Sequence, residues 1–295
     1  VRALITGGGG FVGRHLERHL RSCGDEVVAI DVECDVTDLD VLRAALRAAR
    51  PDVVYHLAAL AHVGESWRDP ARFLAVNVIG TSNVLEAARD HDASTGVLVV
   101  SSAEVYGIVR PDDLPLSEDS AVAPVTPYAA SKAAAEQVAL QAARGYGQRV
   151  SVVRPFNHIG PGQAPAFAVP AFAKRIAAAK ASGSHELVIG NLTARRDFTD
   201  VRDVVAAYRL VVTSGSAGEV FNVASGVDVA MADIVSELER LAGVELSHVV
   251  DEALLRPADI PVLRGDASKL TRLTGWRPEI PLGQSLADVL EQLSR

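Results

Sequence analysis

Two hydrophobic periods alternate along the first half of this chain. Short apolar runs, among them Ala3-Leu4-Ile5, Val27-Val28-Ala29-Ile30 and Val97-Leu98-Val99-Val100, predict strands over 2–6, 26–30, 52–56, 96–101 and 149–154. Between them, apolar residues recur at helical spacing, as in Phe11, Val12, Leu16 and Leu20. They predict helices over 11–22, 38–49, 69–90 and 127–144. Continuous apolar strands suit a sheet covered by helices on both faces. The alternation predicts right-handed crossovers and a doubly wound parallel α/β sheet.

After Arg154-Pro155 the pattern changes, and residues 155–170 hold four prolines and two glycines. Strand signals at 187–190 and 219–223 follow, with helical ones at 170–182, 201–213 and 230–242. They predict a smaller C-terminal α/β region closing over the carboxyl edge of the sheet, where ligands of such folds bind. The expected division is 1–155, with 199–224 returning to it, against a substrate-binding part of 156–198 and 225–295.

The bulk numbers limit the partners. With 295 residues and 48% hydrophobic content, the chain can bury a full core, and its net charge of −8 argues against a nucleic-acid partner. Cys23 and Cys34 form neither a metal-like spacing nor a disulfide framework. With no leader and no apolar run near ~18 residues, a cytoplasmic protein with no membrane partner is expected.

The first strand runs into Thr6-Gly7-Gly8-Gly9-Gly10-Phe11-Val12-Gly13 at the start of a helix. Such a turn aims bare backbone N–H groups, at the positive end of a helix, towards a pyrophosphate. Gly7, Gly10 and Gly13 have the spacing for a tight turn, close ligand approach and close helix packing. Asp31 ends the next strand, where a carboxylate reaches the adenosine ribose. It should accept from a free 2′-hydroxyl and repel a 2′-phosphate, so NAD(H) is the expected cofactor, with NADP(H) the alternative if Arg14 softens that preference.

Thr126-Pro127 opens a further helix with an N-cap residue and a first-turn proline, which puts Tyr128 and Lys132 four apart on one face. A tyrosine titrates near ~10, and lowering it by about three units needs about 4 kcal/mol. One ammonium at ~4 Å, in an effective dielectric of about 20, supplies that much. The expectation is a phenol made acidic by Lys132. Ser102, at the end of the fourth strand, is the candidate third member, hydrogen-bonding the reacting oxygen.

The glycine turn, Ser102 and the Tyr128/Lys132 pair together resemble the extended short-chain dehydrogenase/reductase family that modifies nucleotide sugars. The resemblance runs end to end. It implies a Rossmann-type sheet with a substrate-binding domain, and a cofactor lined by Gly7, Gly10, Phe11, Val12, Gly13, Asp31, Asp35, Val36, Leu57, Ala58, Ala59, Tyr128 and Lys132. On the substrate side it implies His62, Ser66, Ser102, Glu104, Asn157, Arg196 and Arg256, the two arginines meeting the phosphates or ribose of a nucleoside-diphosphate sugar. It implies a homodimer paired through the helices near 69–90 and 127–144.

Within the family, the stretches 156–163, 195–201, 255–261 and 265–270 most resemble reductases of GDP-4-keto-6-deoxy-mannose, which form GDP-D-rhamnose. The implied reaction is NAD(P)H-dependent reduction of the sugar C4 ketone, with Tyr128 giving the proton, Ser102 orienting the carbonyl and Lys132 holding the ribose. Glu104 and His62 instead echo 4,6-dehydratases, so a GDP-mannose-type dehydratase, or a 4-epimerase with retained NAD, stays open. A non-catalytic nucleotide sensor would be expected to lack the tyrosine or the lysine. Other histidines, including His15 and His19, are expected at the surface or as caps.

Overall fold

The computed structural model describes residues 1–251, 254 and 260–294. The first half alternates as β1 (Arg2–Thr6), α1 (Phe11–Ser22), β2 (Glu26–Ile30), α2 (Leu39–Ala49) and β3 (Val53–His56). Next come α3 (Val63–Ser66), α4 (Pro70–Leu74), a widened π turn at Ala75–Ile79, α5 (Gly80–His91) and β4 (Gly96–Val100). Then α6 (Pro127–Tyr146) and β5 (Val150–Pro155) complete this half.

The remainder comprises β6 (Asn157–Ile159), α7 (Ala168–Ser182), β7 (Glu186–Ile189), β8 (Arg195–Asp200), α8 (Val201–Thr213) and β9 (Val220–Val223). It continues with β10 (Asp228–Ala230), α9 (Met231–Ala242), β11 (Ser247–Val250), β12 (Val262–Leu263), α10 (Ser268–Thr274) and α11 (Leu282–Leu293).

Six parallel strands in the order β2-β1-β3-β4-β5-β9 form the main sheet. The order reverses between β1 and β3, which opens a crevice at the carboxyl edge beside the glycine turn. Alternate residues of one strand serve opposite cores: Ala3 and Ile5 pack with Leu16, Leu20, Val204 and Tyr208 of α1 and α8. Leu4 packs with Leu42, Leu46, Val84 and Ala139 of α2, α5 and α6. Burying each of the larger apolar side chains contributes roughly 1.5–3 kcal/mol, and Leu4, Ile5, Leu16, Leu20, Leu42 and Leu46 are wholly inaccessible.

A second core joins α7, α9 and α11 to β7 and β8 through Phe172, Ile176, Ile189, Phe198, Leu238 and Leu286. A smaller cluster of Val105, Tyr106, Leu116, Phe156 and Leu263 lies between the two regions.

Most predicted elements sit within a residue or two of their observed bounds. The expected helix over 69–90 is instead α4, the π turn and α5, with Pro70 at the first position of α4 and Asp69 capping it. β8 was not predicted as a strand, because Arg195-Arg196-Asp197-Phe198-Thr199-Asp200 is mostly charged or polar, yet five of its six residues are buried. Its carboxylates have partners: Asp197 accepts from Ser225, Gly226 and Gly265, and Asp200 from Arg202 and Ser285. Helix α11 was also not predicted, although Leu286, Val289 and Leu290 carry helical spacing. Among the described residues no helix is long and apolar enough to cross a membrane, and no cluster of side chains could hold a metal.

Candidate active site

The glycine turn has the close approaches that its spacing predicts. Gly7 adopts φ +72°, and a Cβ there would lie 2.8 Å from the backbone N of Ala58. A Cβ on Gly13 would lie 2.3 Å from the carbonyl of Gly7, so α1 seats directly on the turn. Gly10 is the N-cap of α1. Among the described residues no side chain caps this helix, and no acidic residue stands in its first turn. Asp38 caps α2, Thr126 caps α6 and Asp200 caps α8. Among the described residues α7, α9 and α11 lack a side-chain cap as α1 does, so the bare glycine turn before α1 is what sets this end apart. The uncapped positive end fits an anionic ligand. Phe11 and Val12 are half-buried beside it, as are Leu57, Ala58 and Ala59 after β3.

Asp31 is half-buried, and its Oδ2 would lie 2.0 Å from a Cβ on Gly9. Arg14 reaches the same turn and donates to the carbonyl of Gly9. Asp35 is exposed and accepts from the backbone and hydroxyl of Thr37, both at 2.8 Å. Val36 is buried, 2.7 Å from the position of a Cβ on Gly80.

At the sheet's carboxyl edge, Ser102 caps the short 3-10 turn Ala103–Tyr106, its hydroxyl accepting the N–H of Glu104 at 3.2 Å. That hydroxyl also lies near enough to the phenol of Tyr128 to favour its charged form. Thr126 accepts the N–H of Ala129 at 3.0 Å and starts α6 beneath them. Tyr128 and Lys132 are 9% and 7% exposed, so neither is a solvated surface residue. The ring of Phe73 meets Tyr128 edge-on at 6.4 Å.

The electrostatics correct one expectation. Burial pushes the Tyr128 phenol up to about 12, Ser102 pulls it down and the Glu104 charge pushes it further up. Lys132 is brought down to about 8 by burial. The phenol is therefore not acidic here: both side chains are withdrawn from water, burial is the largest cause for each, and Lys132 is not among the groups that shift the phenol. A phenol of this kind keeps its proton at neutral pH and can give it away.

The substrate-side candidates are less uniform. Asn157 is exposed on β6, in register with Phe198 of β8, and Arg196 is buried on β8 with Nη1 donating to the carbonyl of Arg195 at 2.9 Å. His62 caps α3 by accepting the N–H of Glu65, and its ring lies 6.4 Å from that of Phe167 at the start of α7. Ser66 is fully buried, with its hydroxyl donated to the carbonyl of Val63. Arg256 lies outside the described residues.

His15 departs from the surface role expected of it. It is 9% exposed and bonds the carbonyl of Pro161 at 2.8 Å. His158 of β6 stacks on Phe11 at 6.2 Å, so the glycine-turn helix touches both β6 and the loop after it.

Sequence reasoning missed Asn77. Within the π turn, its amide bonds both backbone groups of Leu60 and the hydroxyl of Ser131. The signal available was one amide in the apolar run Ala75-Val76-Asn77-Val78-Ile79.

Comparison with known proteins agrees with this geometry. A family model described as GDP-mannose 4,6 dehydratase matches residues 31–289. The chain is 40% identical to the GDP-6-deoxy-D-mannose reductase of Pseudomonas aeruginosa over 292 residues, covering 98% of this chain and 96% of that one. It is 33% identical to the GDP-6-deoxy-D-talose 4-dehydrogenase of Aggregatibacter actinomycetemcomitans, covering 93% and 92%. The solved structure of RMD from Pseudomonas aeruginosa complexed with NADPH superposes with a TM-score of 0.91 at 39% identity, covering 100% of this chain and 99% of that one.

The last comparison overturns the expectation of NAD(H), since that relative holds NADPH. The argument from Asp31 counted one carboxylate. The guanidinium of Arg14 is anchored on the carbonyl of Gly9, the residue Asp31 lies against, so a cation and an anion share the space and the carboxylate does not set its charge alone.

Proposed function

Because this chain belongs to the extended short-chain dehydrogenase/reductase family that modifies nucleotide sugars, we propose that it reduces GDP-4-keto-6-deoxy-D-mannose to GDP-D-rhamnose, with NADPH as reductant. It is an NAD(P)-dependent oxidoreductase of that family. The observation that carries the reading is a Tyr128 phenol buried with Lys132 on one helix beside Ser102, where it keeps its proton. Ketone reduction needs a proton donor at the oxygen, and the neutral phenol is one.

When bound, a reduced nicotinamide would supply the hydride for the sugar C4 carbon. Tyr128 Oη gives its proton to the C4 oxygen, and Ser102 Oγ orients that oxygen by hydrogen bonding. Lys132 Nζ holds the cofactor ribose beside the phenol. The uncapped start of α1 and the backbone of 57–59 hold the dinucleotide. Asn157, His62 and Arg196 bind the nucleotide sugar, and guanidinium suits its diphosphate. Two regions divide this work: 1–155 with 199–224, and 156–198 with 225–295. Support for the split comes from separate cores, two on the faces of the six-stranded sheet and one among α7, α9 and α11, while Leu270 and Trp276 of 225–295 pack into a sheet core. Two copies pair through the helical segments 69–90 and 127–144 in the cytoplasm.

A second reading is favoured by Glu104, whose charge reaches the phenol. In a 4,6-dehydratase such a carboxylate removes the sugar C5 proton. Purified protein is therefore given GDP-, UDP-, dTDP- and CDP-4-keto-6-deoxy sugars with NADPH, and separately GDP-mannose alone. Turnover of the GDP-linked ketone is expected. A 4-keto-6-deoxy product from GDP-mannose without added reductant would exclude the simple reductase. Tyr128→Phe is expected to bind NADPH and lose at least a hundredfold in turnover.

A further inference from the structure

Thr6, His56, Thr81 and Asn77 form a buried hydrogen-bond chain, each between 0% and 4% exposed, that joins the glycine turn to α6. Its direction follows from proton bookkeeping. Thr81 Oγ1 donates its proton to the carbonyl of Asn77 at 2.6 Å. The same oxygen must then accept from His56 Nε2 at 3.0 Å. That places the ring hydrogen on Nε2 and leaves Nδ1 an acceptor, so Thr6 Oγ1 donates to it at 2.8 Å. Thr6 Oγ1 in turn accepts the N–H of Ala58 at 3.3 Å.

Both ends of the chain meet the site. At one end, the backbone of Ala58 is the surface against which Gly7 packs. At the other, Asn77 Oδ1 accepts the N–H of Leu60 at 2.8 Å, and its Nδ2 donates to Ser131 Oγ at 2.8 Å. Ser131 Oγ donates to the carbonyl of Tyr128 at 2.7 Å. The segment 58–60 is thus tied at each end, and the second tie runs to the helix that carries Tyr128 and Lys132.

We propose that His56, locked as the neutral Nε2–H tautomer, is a positioning residue that sets the cofactor wall at 58–60 against Tyr128 and Lys132. The proposal rests on reading those two residues as the reacting pair. Around the ring, β1 presents Thr6, β4 presents Val99, α5 presents Thr81 and α6 presents Lys132, the charged group whose field reaches it. Burial first and that ammonium second hold the imidazole well below its ordinary range. Protonation would turn Nδ1 into a donor facing Thr6 and break the direction of the chain.

Two measurements test this. In the NADPH-bound protein, nitrogen-15 NMR of the histidine rings is expected to show His56 as a single Nε2–H tautomer, unchanged from pH 6 to 9. A ring with Nδ1–H, or one that titrates in that range, would overturn the proposal, and this readout needs no variant. In parallel, Thr81→Val is expected to lower kcat about tenfold or more while NADPH affinity stays within about twofold, since small displacements of reacting groups cost rate steeply. Thr81→Ser, which keeps the hydroxyl, is expected to restore kcat to within about threefold. Wild-type kcat in Thr81→Val, or equal impairment in both variants, would show that the hydroxyl chain does not position the site. Should the wild type reduce no 4-keto sugar, the functional reading fails, and the NMR result still decides the tautomer and the chain.

Discussion

Arg154 at the end of β5 holds both carboxylate oxygens of Glu136 on α6, and the two side chains are 5% and 1% exposed. The guanidinium also lies over the Tyr106 ring at 4.9 Å and donates to the carbonyl of Glu118. Glu136 is one helical turn beyond Lys132, so the pair fastens the helix bearing the candidate donor to the sheet. Removing one partner of such a pair strands a charge away from water. Glu136→Ala is expected to lose about 3–5 kcal/mol of stability, as read by urea unfolding. A loss below about 1 kcal/mol would mean that water reaches the arginine.

Lys132 makes a prediction with a definite sign. Burial holds it at about 8 against an ordinary 10.5. Between those values the unfolded chain binds more protons at this residue, so its contribution makes stability rise with pH across that window. Below it, the buried ammonium is a penalty on the order of 3 kcal/mol. Lys132→Met should therefore be more stable than the wild type at pH 7 despite losing activity, with the gap shrinking towards pH 10. Urea unfolding at both pH values checks this, and a gap that widened with pH would contradict it.

Gly13→Ala tests the seat of α1. The added methyl would sit 2.3 Å from the carbonyl of Gly7 and 2.6 Å from that of Gly8, both backbone atoms. The turn must open, and NADPH affinity is expected to fall at least tenfold, measured by fluorescence titration. Affinity equal to the wild type would show that the cofactor does not use this turn.

Arg14→Ala addresses the reductant. Loss of the guanidinium beside Gly9 is expected to raise KM for NADPH about tenfold and leave KM for NADH within about twofold, if that guanidinium is the group that meets the 2′-phosphate. Equal changes for both cofactors in steady-state kinetics would remove Arg14 from 2′-phosphate recognition.

Much of this architecture was legible because it is local. The glycine turn, the Thr126-Pro127 start of α6 and the apolar strands all write their geometry into neighbouring residues, and α8 has the bounds its spacing predicts. The π turn at Ala75–Ile79 was not legible, since one extra residue in a turn rotates the faces without changing the polarity pattern. Strand β8 was hidden because its carboxylates are satisfied by residues such as Gly265, far along the chain. The same holds for the candidate site: the placement of Tyr128, Lys132 and Ser102 follows from local spacing, while the Thr6–His56–Thr81 chain joins side chains from three elements. The acidic phenol failed for a related reason, because counting one charge cannot foresee how much water two side chains lose.

The outermost strand of the main sheet imposes an order on synthesis. β5 ends at Pro155, but its outer neighbour β9 begins only at Val220, after the chain has built β6, α7, β7, β8 and α8. At roughly 5–20 residues per second, a nascent chain carries β5 as an open parallel edge for seconds. Its residues Val150, Val152 and Val153 are almost wholly covered in the finished molecule. Premature termination in that interval leaves a sticky ribbon rather than a smaller working protein.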